Sequence, residues 1–307
     1  MTDNNKSIPA LVTPDWLAKK LTNEDLCIID ASWYLPTENR NPHAEFHSEH
    51  IPGARFFDVD AVSDQTNELP HMVPSECEFS SAMTKLGLTN DMKIVIYDGH
   101  GLMSAARVWW TFRTFGHHQV SVLNGGLPAW KSQGHETLSH SAGDSSHQTT
   151  VQQTFKARLD IKLIRSLEQM KSNLDSPLEQ VVDARPPARF NGTAPEPRQG
   201  LRRGHIPGSC NVPFVELLDP ATYKMLSPEQ ITTRFIQAGI DLECPIIATC
   251  GSGITASVLA LALYTIGRTS VAVYDGSWAE WGEPGDNPVA TGLISSSSNI
   301  SRLDSYI

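Results

Sequence analysis

Four short segments of the sequence occur twice, in the same order and at nearly the same separation. Each second copy follows its first copy by 151 to 155 residues. One such match can arise by chance, but four collinear matches indicate a duplicated domain, so the chain is constrained to fold as two similar units. The pairs are I-I-D-A-S from Ile28 with V-V-D-A-R from Val181, H-I-P-G from His50 with H-I-P-G from His205, I-V-I-Y-D-G from Ile94 with I-I-A-T-C-G from Ile246, and N-G-G-L-P-A-W from Asn124 with D-G-S-W-A-E-W from Asp275.

The length of the chain fits this duplication, because 307 residues suit two domains of about 150 residues each. Between the copies, residues 139–150 form a polar stretch rich in Ser, Thr and His, which is typical of a linker. The residues after 294 are similarly polar. We therefore predict an N-terminal domain over 1–138, a linker over 139–155, a C-terminal domain over 156–294 and a polar tail over 295–307.

The apolar pattern within each copy predicts the fold class. Short β-rich apolar runs are typical of buried parallel strands, and longer patterns with one apolar face, such as residues 105–115 and 256–266, predict helices between them. Alternating strands and helices indicate an α/β fold in which each copy is a small parallel sheet with helices on both faces. The predicted strands are residues 27–29, 94–97, 120–123, 181–182, 246–248 and 271–274.

The overall charge restricts the class of partner. With 40% hydrophobic and 19% charged residues the chain has the composition of a folded protein. A formal charge of -10 argues against binding nucleic acid or an anionic membrane surface, since both need a basic face. We therefore expect a small-molecule substrate, and neither nucleic acid nor membrane as partner.

The sequence also suggests a cellular compartment. No run of about 18 apolar residues occurs, and residues 1–10 lack the basic start and apolar stretch of a secretory signal. The five cysteines are odd in number and form no C-x-x-C pair, which predicts free thiols in a reducing, cytoplasmic environment. Neither the cysteines nor the histidines show metal-ligand spacing, so we expect no metal and no other cofactor.

The loop after the predicted strand at residues 246–248 is the segment that most clearly indicates a catalytic function. It reads C-G-S-G-I-T-A and runs directly into a helix. Gly251 and Gly253 allow a tight curl, so that the backbone N–H groups of the loop, including those of Ile254 and Thr255, converge at a helix N-terminus. Such a cradle stabilises a thiolate, which makes Cys250 the candidate nucleophile, with Gly251, Gly253, Ile254 and Thr255 as candidate substrate-binding residues. The competing interpretation, a buried core cysteine beside an ordinary turn, does not account for this pattern at a strand-to-helix junction.

This loop resembles the active-site loop of rhodanese-type sulfurtransferases, and C-G-S-G-I-T-A in particular is similar to that of the 3-mercaptopyruvate sulfurtransferases. The resemblance extends over nearly the whole chain and includes residues 109–118 (W-W-T-F-R-T-F-G-H-H) and 189–198 (R-F-N-G-T-A-P-E-P-R). It implies two tandem rhodanese-like domains in which only the second copy carries the nucleophile. Asp98 stands at the position of Cys250 in the first copy, and a carboxylate cannot hold a persulfide.

The resemblance also implies a sulfur donor. Thiosulfate-preferring rhodaneses carry basic residues directly after the cysteine, whereas Gly251 and Ser252 bring no charge. Arg189 and Arg198 stand where the family holds the carboxylate and carbonyl of mercaptopyruvate, and a planar guanidinium suits a carboxylate. The alternative is that these arginines pair with a nearby acid such as Glu196.

The family further implies a relay of Ser252, His71 and Asp60 across the two domains, with Asp58 and Asp64 as neighbouring alternatives to Asp60. A histidine in an apolar stretch is more often structural than catalytic, so this assignment depends on the resemblance. The implied reaction moves the donor's sulfur to Cys250 as a persulfide and then to a thiol acceptor, such as a thioredoxin-like protein, or to cyanide.

Three other functions fit parts of the sequence. A thiosulfate sulfurtransferase differs only in its donor. A cysteine phosphatase also uses a strand, a cysteine loop and a helix N-terminus, but its loop closes with an arginine where this chain has Ala256. A persulfide carrier without turnover would not need both arginines and the serine.

The remaining repeated residues receive structural roles in this interpretation. Asp30 and Asp183 follow corresponding strands and are expected to accept hydrogen bonds from nearby backbone. Trp130 and Trp281 are expected to pack between helix and sheet.

Overall fold

Each half of the chain is built around a five-stranded sheet, seen in a computed structural model that describes residues 8–139 and 154–292. All strand pairings within the two sheets are parallel. The chain divides into two units, the second beginning at Lys162. The predicted α/β class, with a parallel sheet flanked by helices in each copy, is confirmed.

The sheet of the first unit has the order β1-β5-β4-β2-β3. Its central strands are buried except at the first residue of β2 and of β4, and they are rich in Ile and Val, as expected for parallel strands covered on both faces. The strands are β1 (Leu11–Val12), β2 (Leu26–Asp30), β3 (Ala54–Phe56), β4 (Lys93–Tyr97) and β5 (Val120–Leu123). The helices are α1 (Pro14–Ala18), α2 (Pro42–Ser48), α3 (Val59–Val62), α4 (Glu76–Lys85), α5 (Ser104–Thr114) and α6 (Gly126–Ser132).

The sheet of the second unit repeats this order as β6-β10-β9-β7-β8. The strands are β6 (Ile164–Arg165), β7 (Gln180–Asp183), β8 (Cys210–Asn211), β9 (Ile246–Thr249) and β10 (Ala272–Tyr274). The helices are α7 (Leu167–Asp175), α8 (Pro187–Phe190), α9 (Pro228–Gln237), α10 (Ala256–Thr265) and α11 (Ser277–Trp281). The corresponding order of the two sheets is the structural form of the sequence repeat.

The repeated H-I-P-G segments have a structural role in both units. His50 Nδ1 lies 2.8 Å from the Phe46 carbonyl, and His205 Nδ1 lies 2.8 Å from the Phe190 carbonyl. Each ring also stacks on the phenylalanine that it contacts. Because the two contacts match, Phe46 corresponds to Phe190, and the residues that precede them, Glu45 and Arg189, occupy corresponding positions.

The boundary of the first unit differs from the sequence prediction. The described residues up to Ile161, together with the segment Leu218–Met225, belong to it. Phe155, the last residue of the predicted linker, is buried in an aromatic cluster, and its ring centroid lies 5.8 Å from that of Phe79. This end of the linker therefore packs against the first unit. Residues 140–153 of the predicted linker and the whole predicted tail lie outside the described residues.

The two tryptophans of the repeat are buried in the cores, and the two aspartates at the strand ends accept hydrogen bonds from the backbone, as predicted. Trp130 and Trp281 lie in the cores of the first and second units. Asp30 and Asp183 each accept a hydrogen bond from the backbone N–H two residues later, at 2.8 and 2.9 Å. Among the helices of the described ranges, none has the length and apolar character that crossing a bilayer requires.

Candidate active site

The Cys250 loop connects the end of β9 to the start of α10. Cys250 is 2% exposed and follows the last residue of the strand directly. Eight of the ten residues of α10 are buried, so this helix is anchored in the core and holds its N-terminus firmly against the loop. The cap residue Thr255 makes no side-chain hydrogen bond to the first turn in the described structure. The structure therefore places Cys250 at the head of a short loop between a strand and a helix N-terminus, the local order that the sequence predicts.

Ser277 closes the loop from the neighbouring strand connection. Its Oγ accepts hydrogen bonds from the N–H groups of Cys250, at 3.2 Å, and Gly253, at 3.1 Å, and donates to the Tyr274 carbonyl at 2.8 Å. Gly253 has a φ of +80°, which glycine adopts without strain. The N–H of Gly253 therefore donates to Ser277 and helps to shape the loop. The sequence analysis predicts a different role for Gly253, namely binding of the substrate.

Ser277 was missed by the sequence analysis, although the repeat contains a signal for it. Its φ is +51°, a left-handed value that is uncommon for residues other than glycine. The corresponding residue of the first copy, Gly126, has a φ of +54°. A serine at a position that the other copy fills with glycine indicates that the hydroxyl is needed there.

Arg189 lies beside the loop. A Cβ built on Gly251 would lie 3.1 Å from Arg189 Nη2, so the guanidinium approaches the backbone where a side chain is absent. Its side chain is 19% exposed and donates through Nε and Nη2 to Glu196 Oε2. The pairing with Glu196 that the sequence analysis considered as an alternative is therefore present, together with a position next to the nucleophile loop.

A second arginine, which the sequence analysis left out, lies behind Arg189. Arg185 is 1% exposed and donates to both oxygens of Asp183 and, through Nη1, to Glu196 Oε1 at 2.9 Å. Burial alone would lower the pKa of Arg185, but the charge of Asp183 and the hydrogen bonds to it, followed by the charge of Glu196, raise it above its usual value. The interaction with Cys250 acts in the same direction. Arg185 therefore stays charged in the interior near the loop.

The other predicted site residues lie in separate units. Arg198 and Ser252 belong to the second unit, where Arg198 is partly exposed and Ser252 is buried. His71 and Asp60 belong to the first unit. The structure thus brings Cys250, Gly251, Ile254, Thr255 and Arg189 together within one unit.

Within the first unit, His71 pairs with Asp60. His71 Nε2 lies 3.0 Å from Asp60 Oδ1, and Trp33 Nε1 donates to the same carboxylate at 3.1 Å. The histidine is buried, while the Asp60 side chain is 66% exposed. The alternatives Asp58 and Asp64 cap α3 and the following turn. Asp60 is therefore the aspartate that orients His71.

The corresponding loop of the first unit is occupied by Asp98. This carboxylate is fully buried, and one oxygen accepts from the N–H groups of His100 and Gly101 at 3.0 and 2.8 Å. The other oxygen accepts from Met103 and Ala105 at 2.7 and 2.9 Å. Four backbone N–H groups converge on one anion, so the loop of this fold is an anion cradle, here filled by its own side chain.

The first unit also lacks the buried cation of the second. Ser32 stands where the second copy has Arg185, so Asp30 has no guanidinium beside it. Burial raises the pKa of Asp30 to about 6, against the hydrogen bonds from Ser32 that lower it. In neither unit do the described residues place three or more His, Cys, Asp or Glu side chains in a group that could hold a metal ion.

Comparison with known proteins agrees with this geometry. A rhodanese-like domain is recognised over residues 13–133 and again over 166–284. The chain is 45% identical over 294 residues to thiosulfate/3-mercaptopyruvate sulfurtransferase 1, mitochondrial, of Arabidopsis thaliana, covering 91% of this chain and 77% of the relative. It is 46% identical over 278 residues to 3-mercaptopyruvate sulfurtransferase of Rattus norvegicus, covering 89% of this chain and 91% of the relative.

A solved structure shows the same likeness in three dimensions. The crystal structure of SseA from Escherichia coli, described under the rhodanese fold and catalytic mechanism of 3-mercaptopyruvate sulfotransferases, matches with a TM-score of 0.77 at 37% sequence identity. The match covers 89% of this chain and 100% of that chain. With both halves recognised as rhodanese-like domains, the chain belongs to the rhodanese family.

Proposed function

We propose that the chain is a sulfurtransferase that takes the sulfur of 3-mercaptopyruvate, carries it on Cys250 as the sulfane sulfur of a persulfide and passes it to a thiol or to cyanide, with release of pyruvate. The observation that carries this proposal is the position of Cys250 in a loop at the N-terminus of α10, with Arg189 beside Gly251. The names of the relatives, two of which include 3-mercaptopyruvate sulfurtransferase, agree with it.

The chemistry proceeds in two transfers. The Cys250 thiolate attacks the sulfur of the donor, a new S–S bond forms, and the C–S bond breaks with its electron pair going to the pyruvate enolate. The enolate takes up a proton and leaves as pyruvate. Backbone N–H groups of the loop stabilise the persulfide, as four N–H groups stabilise Asp98 in the first unit. An acceptor thiolate or cyanide then attacks the outer sulfur and releases the Cys250 thiolate.

Arg189 and Arg198 are proposed to bind the donor. The planar fork of a guanidinium pairs with a carboxylate bidentately, and a positive charge near the carbonyl stabilises the enolate as it forms. Arg189 is engaged with Glu196 through Nε and Nη2, and its partial exposure leaves access for a ligand. Gly251 and Ser252 add no charge of their own, which fits a donor held by these two arginines.

The proposal keeps the relay of Ser252, His71 and Asp60 that the family resemblance implies. The pairing of His71 with Asp60 supports it. His71→Asn is the sharpest test, because asparagine tolerates the left-handed φ of +63° found at this residue. We expect kcat for 3-mercaptopyruvate to fall by about 10²-fold or more, with an unchanged thermal midpoint. Parental kcat in this variant would remove His71 from the mechanism.

A thiosulfate sulfurtransferase is the second candidate, since the Arabidopsis relative carries both donors in its name. Steady-state rates with each donor, with cyanide as acceptor, decide between them. We expect kcat/KM for 3-mercaptopyruvate to exceed that for thiosulfate at least roughly tenfold, about 1.4 kcal/mol of transition-state stabilisation. Equal or reversed values would assign thiosulfate as the donor. Replacing Gly251 and Ser252 with Arg and Lys should move the preference toward thiosulfate.

The acceptor and the compartment complete the proposal. We propose a thioredoxin-like dithiol protein as acceptor, because its low-pKa thiolate is suited to attack a persulfide sulfur. We propose the cytoplasm as compartment because the five cysteines are free thiols, as expected in a reducing environment, although the Arabidopsis relative is named as mitochondrial. Cell fractionation followed by detection of the chain tests the second point, and turnover with a reduced thioredoxin as sole acceptor tests the first.

A further inference from the structure

The second unit contains a row of four alternating charges that ends at the nucleophile loop. Asp183 at the end of β7 contacts Arg185, Arg185 contacts Glu196, and Glu196 contacts Arg189. The side chains of the first three are only 1% to 2% exposed, and Arg189 at the end of the row is 19% exposed. Exposure therefore increases only at the residue that reaches the loop.

Glu196 is the central connection of this row. One carboxylate oxygen accepts from Arg185 Nη1 at 2.9 Å, and the other accepts from both Nε and Nη2 of Arg189. A guanidinium bonded through two nitrogens has its plane and its direction fixed, unlike an exposed arginine on a solvated loop. The orientation of Arg189 toward Gly251 is thus set by Glu196.

Arg185 and Asp183 fix Glu196 in turn. Arg185 is held by both oxygens of Asp183, by the Gly204 carbonyl at 2.8 Å and by the ring of Trp278, 4.2 Å from the guanidinium carbon. Two acids and two bases make the row neutral, which makes burial of these charges tolerable. The first copy has Ser32 and Glu45 at the positions of Arg185 and Arg189, and it also lacks the nucleophile. The row therefore occurs only in the copy with Cys250.

We propose that Glu196 is a positioning residue for Arg189, holding its guanidinium beside Gly251 to receive the carboxylate of the donor, with Arg185 and Asp183 as its rigid support. The part that concerns the donor rests on the function proposed above. The part that concerns the orientation of Arg189 does not.

The test uses Glu196→Gln, which keeps the size of the side chain but removes the charge and one acceptor. We expect kcat/KM for 3-mercaptopyruvate to fall about tenfold, since one charge-assisted contact is lost. In a protein that already carries Arg189→Ala, adding Glu196→Gln should lower kcat/KM by less than about twofold. A residue that acts only through Arg189 has no further effect once that side chain is removed. Glu196→Asp retains the charge on a shorter side chain and should give an intermediate loss, and it remains informative if the glutamine variant folds poorly.

A second readout does not depend on the donor. Modification of Arg189 by phenylglyoxal, measured by peptide mass spectrometry, should become at least about fivefold faster in Glu196→Gln. A freed guanidinium is more reactive than one held by a carboxylate through two nitrogens. Glu179→Gln is the matched control, since it breaks a bidentate pair with Arg165 of similar exposure in the same unit. This control should leave both the Arg189 modification rate and kcat/KM unchanged.

The outcomes separate the two proposals. Faster Arg189 modification with unchanged kcat/KM would uphold Glu196 as the positioning residue and refute the donor-binding role of Arg189. Unchanged modification would overturn the positioning role, and so would equal losses of kcat/KM from Glu196→Gln in the parent and in Arg189→Ala.

Discussion

The nucleophile loop of the second unit and its counterpart in the first differ in what occupies the helix N-terminus. In the first unit, the Asp98 carboxylate accepts four backbone N–H groups and fills the cradle permanently. In the second unit, a thiol takes this position, and Ser277 engages only the N–H groups of Cys250 and Gly253. The comparison shows a loop that is closed by its own carboxylate in the first unit, and a loop that carries a thiol and is held by a serine hydroxyl in the second.

The largest expected effect tests which copy performs the chemistry. Cys250→Ser should abolish sulfur transfer without unfolding the protein, because a hydroxyl of ordinary pKa neither attacks sulfur nor stores it. Mass spectrometry after incubation with donor alone should show one added sulfur on the Cys250 peptide of the parent and none in the variant.

The matched control is Cys77→Ser, which changes an exposed thiol on α4 and should retain activity. Adding Asp98→Cys to Cys250→Ser should not restore turnover. The reason is that the first copy has Ser32 and Glu45 at the positions of Arg185 and Arg189. Activity in that double variant would mean that the loop alone suffices, contrary to the comparison.

The next effect concerns the stability that Asp98 supplies. Asp98→Ala should lower the free energy of unfolding by at least about 3 kcal/mol, because several charge-assisted hydrogen bonds are lost and buried N–H groups remain unsatisfied. Urea titration measures this. Asp219→Ala is the control, because this aspartate also accepts two backbone N–H groups but is not buried, and it should cost much less. Similar losses in both variants would show that Asp98 does not stabilise its loop.

The third effect tests the arginines. Arg189→Ala and Arg198→Ala should each reduce kcat/KM for 3-mercaptopyruvate about ten- to a hundredfold, since each removes a charge-assisted contact of about 1.5 to 3 kcal/mol. Lysine should rescue only part of the loss, because a point charge cannot reproduce a bidentate fork. Arg234→Ala serves as control, since Arg234 makes only a long 3.7 Å contact with Glu216. Near-parental rates in both site variants would locate the carboxylate site elsewhere.

The smallest expected effect is a pH dependence of stability caused by Asp30, the buried aspartate of the first unit that has a serine where the second copy has Arg185. The pKa of Asp30 is about 6 in the fold against 3.8 in its reference state, so its stabilising contribution is full below pH 3.8 and is lost as pH rises through 6. Asp30→Asn does not titrate, and its stability relative to the parent should increase by about 1 kcal/mol between pH 5 and pH 8. The measurement is urea unfolding at both pH values.

Asp25→Asn is the control for this pH dependence. The hydrogen bond from Lys93 lowers the pKa of the exposed Asp25, which places its titration below the tested range. Its stability difference from the parent should therefore be the same at pH 5 and pH 8. A constant difference for Asp30→Asn would mean that Asp30 is charged throughout this range.

The sequence predicted best those strands, helices and loops whose structure is determined by a local pattern of residues. The long central strands and the helices α5 and α10 followed from apolar pattern, and the Cys250 loop followed from its glycines between strand and helix. The edge strands β1, β3, β6 and β8 were not predicted, because two or three residues each give no readable periodicity.

The site residues that escaped prediction depend on tertiary contacts. Glu196 was considered only as an acid that would neutralise an arginine on a solvated loop, whereas the fold buries it between two arginines. Arg185 follows a strand and could have pointed in several directions. Its position near the loop depends on Asp183 and Trp278, which are far apart in sequence.

The left-handed backbone at Ser277 also restricts which sequences can occupy this position. Glycine would keep the backbone relaxed but lose the hydroxyl that joins Cys250, Gly253 and Tyr274, while alanine would lose the hydroxyl and retain the strain. Alanine is ordinarily a better residue than glycine inside a helix, but at this first helical residue with a positive φ the order is reversed. In a homologue that lacks the nucleophile we therefore expect glycine at this position, the residue that the first copy of this chain has at Gly126.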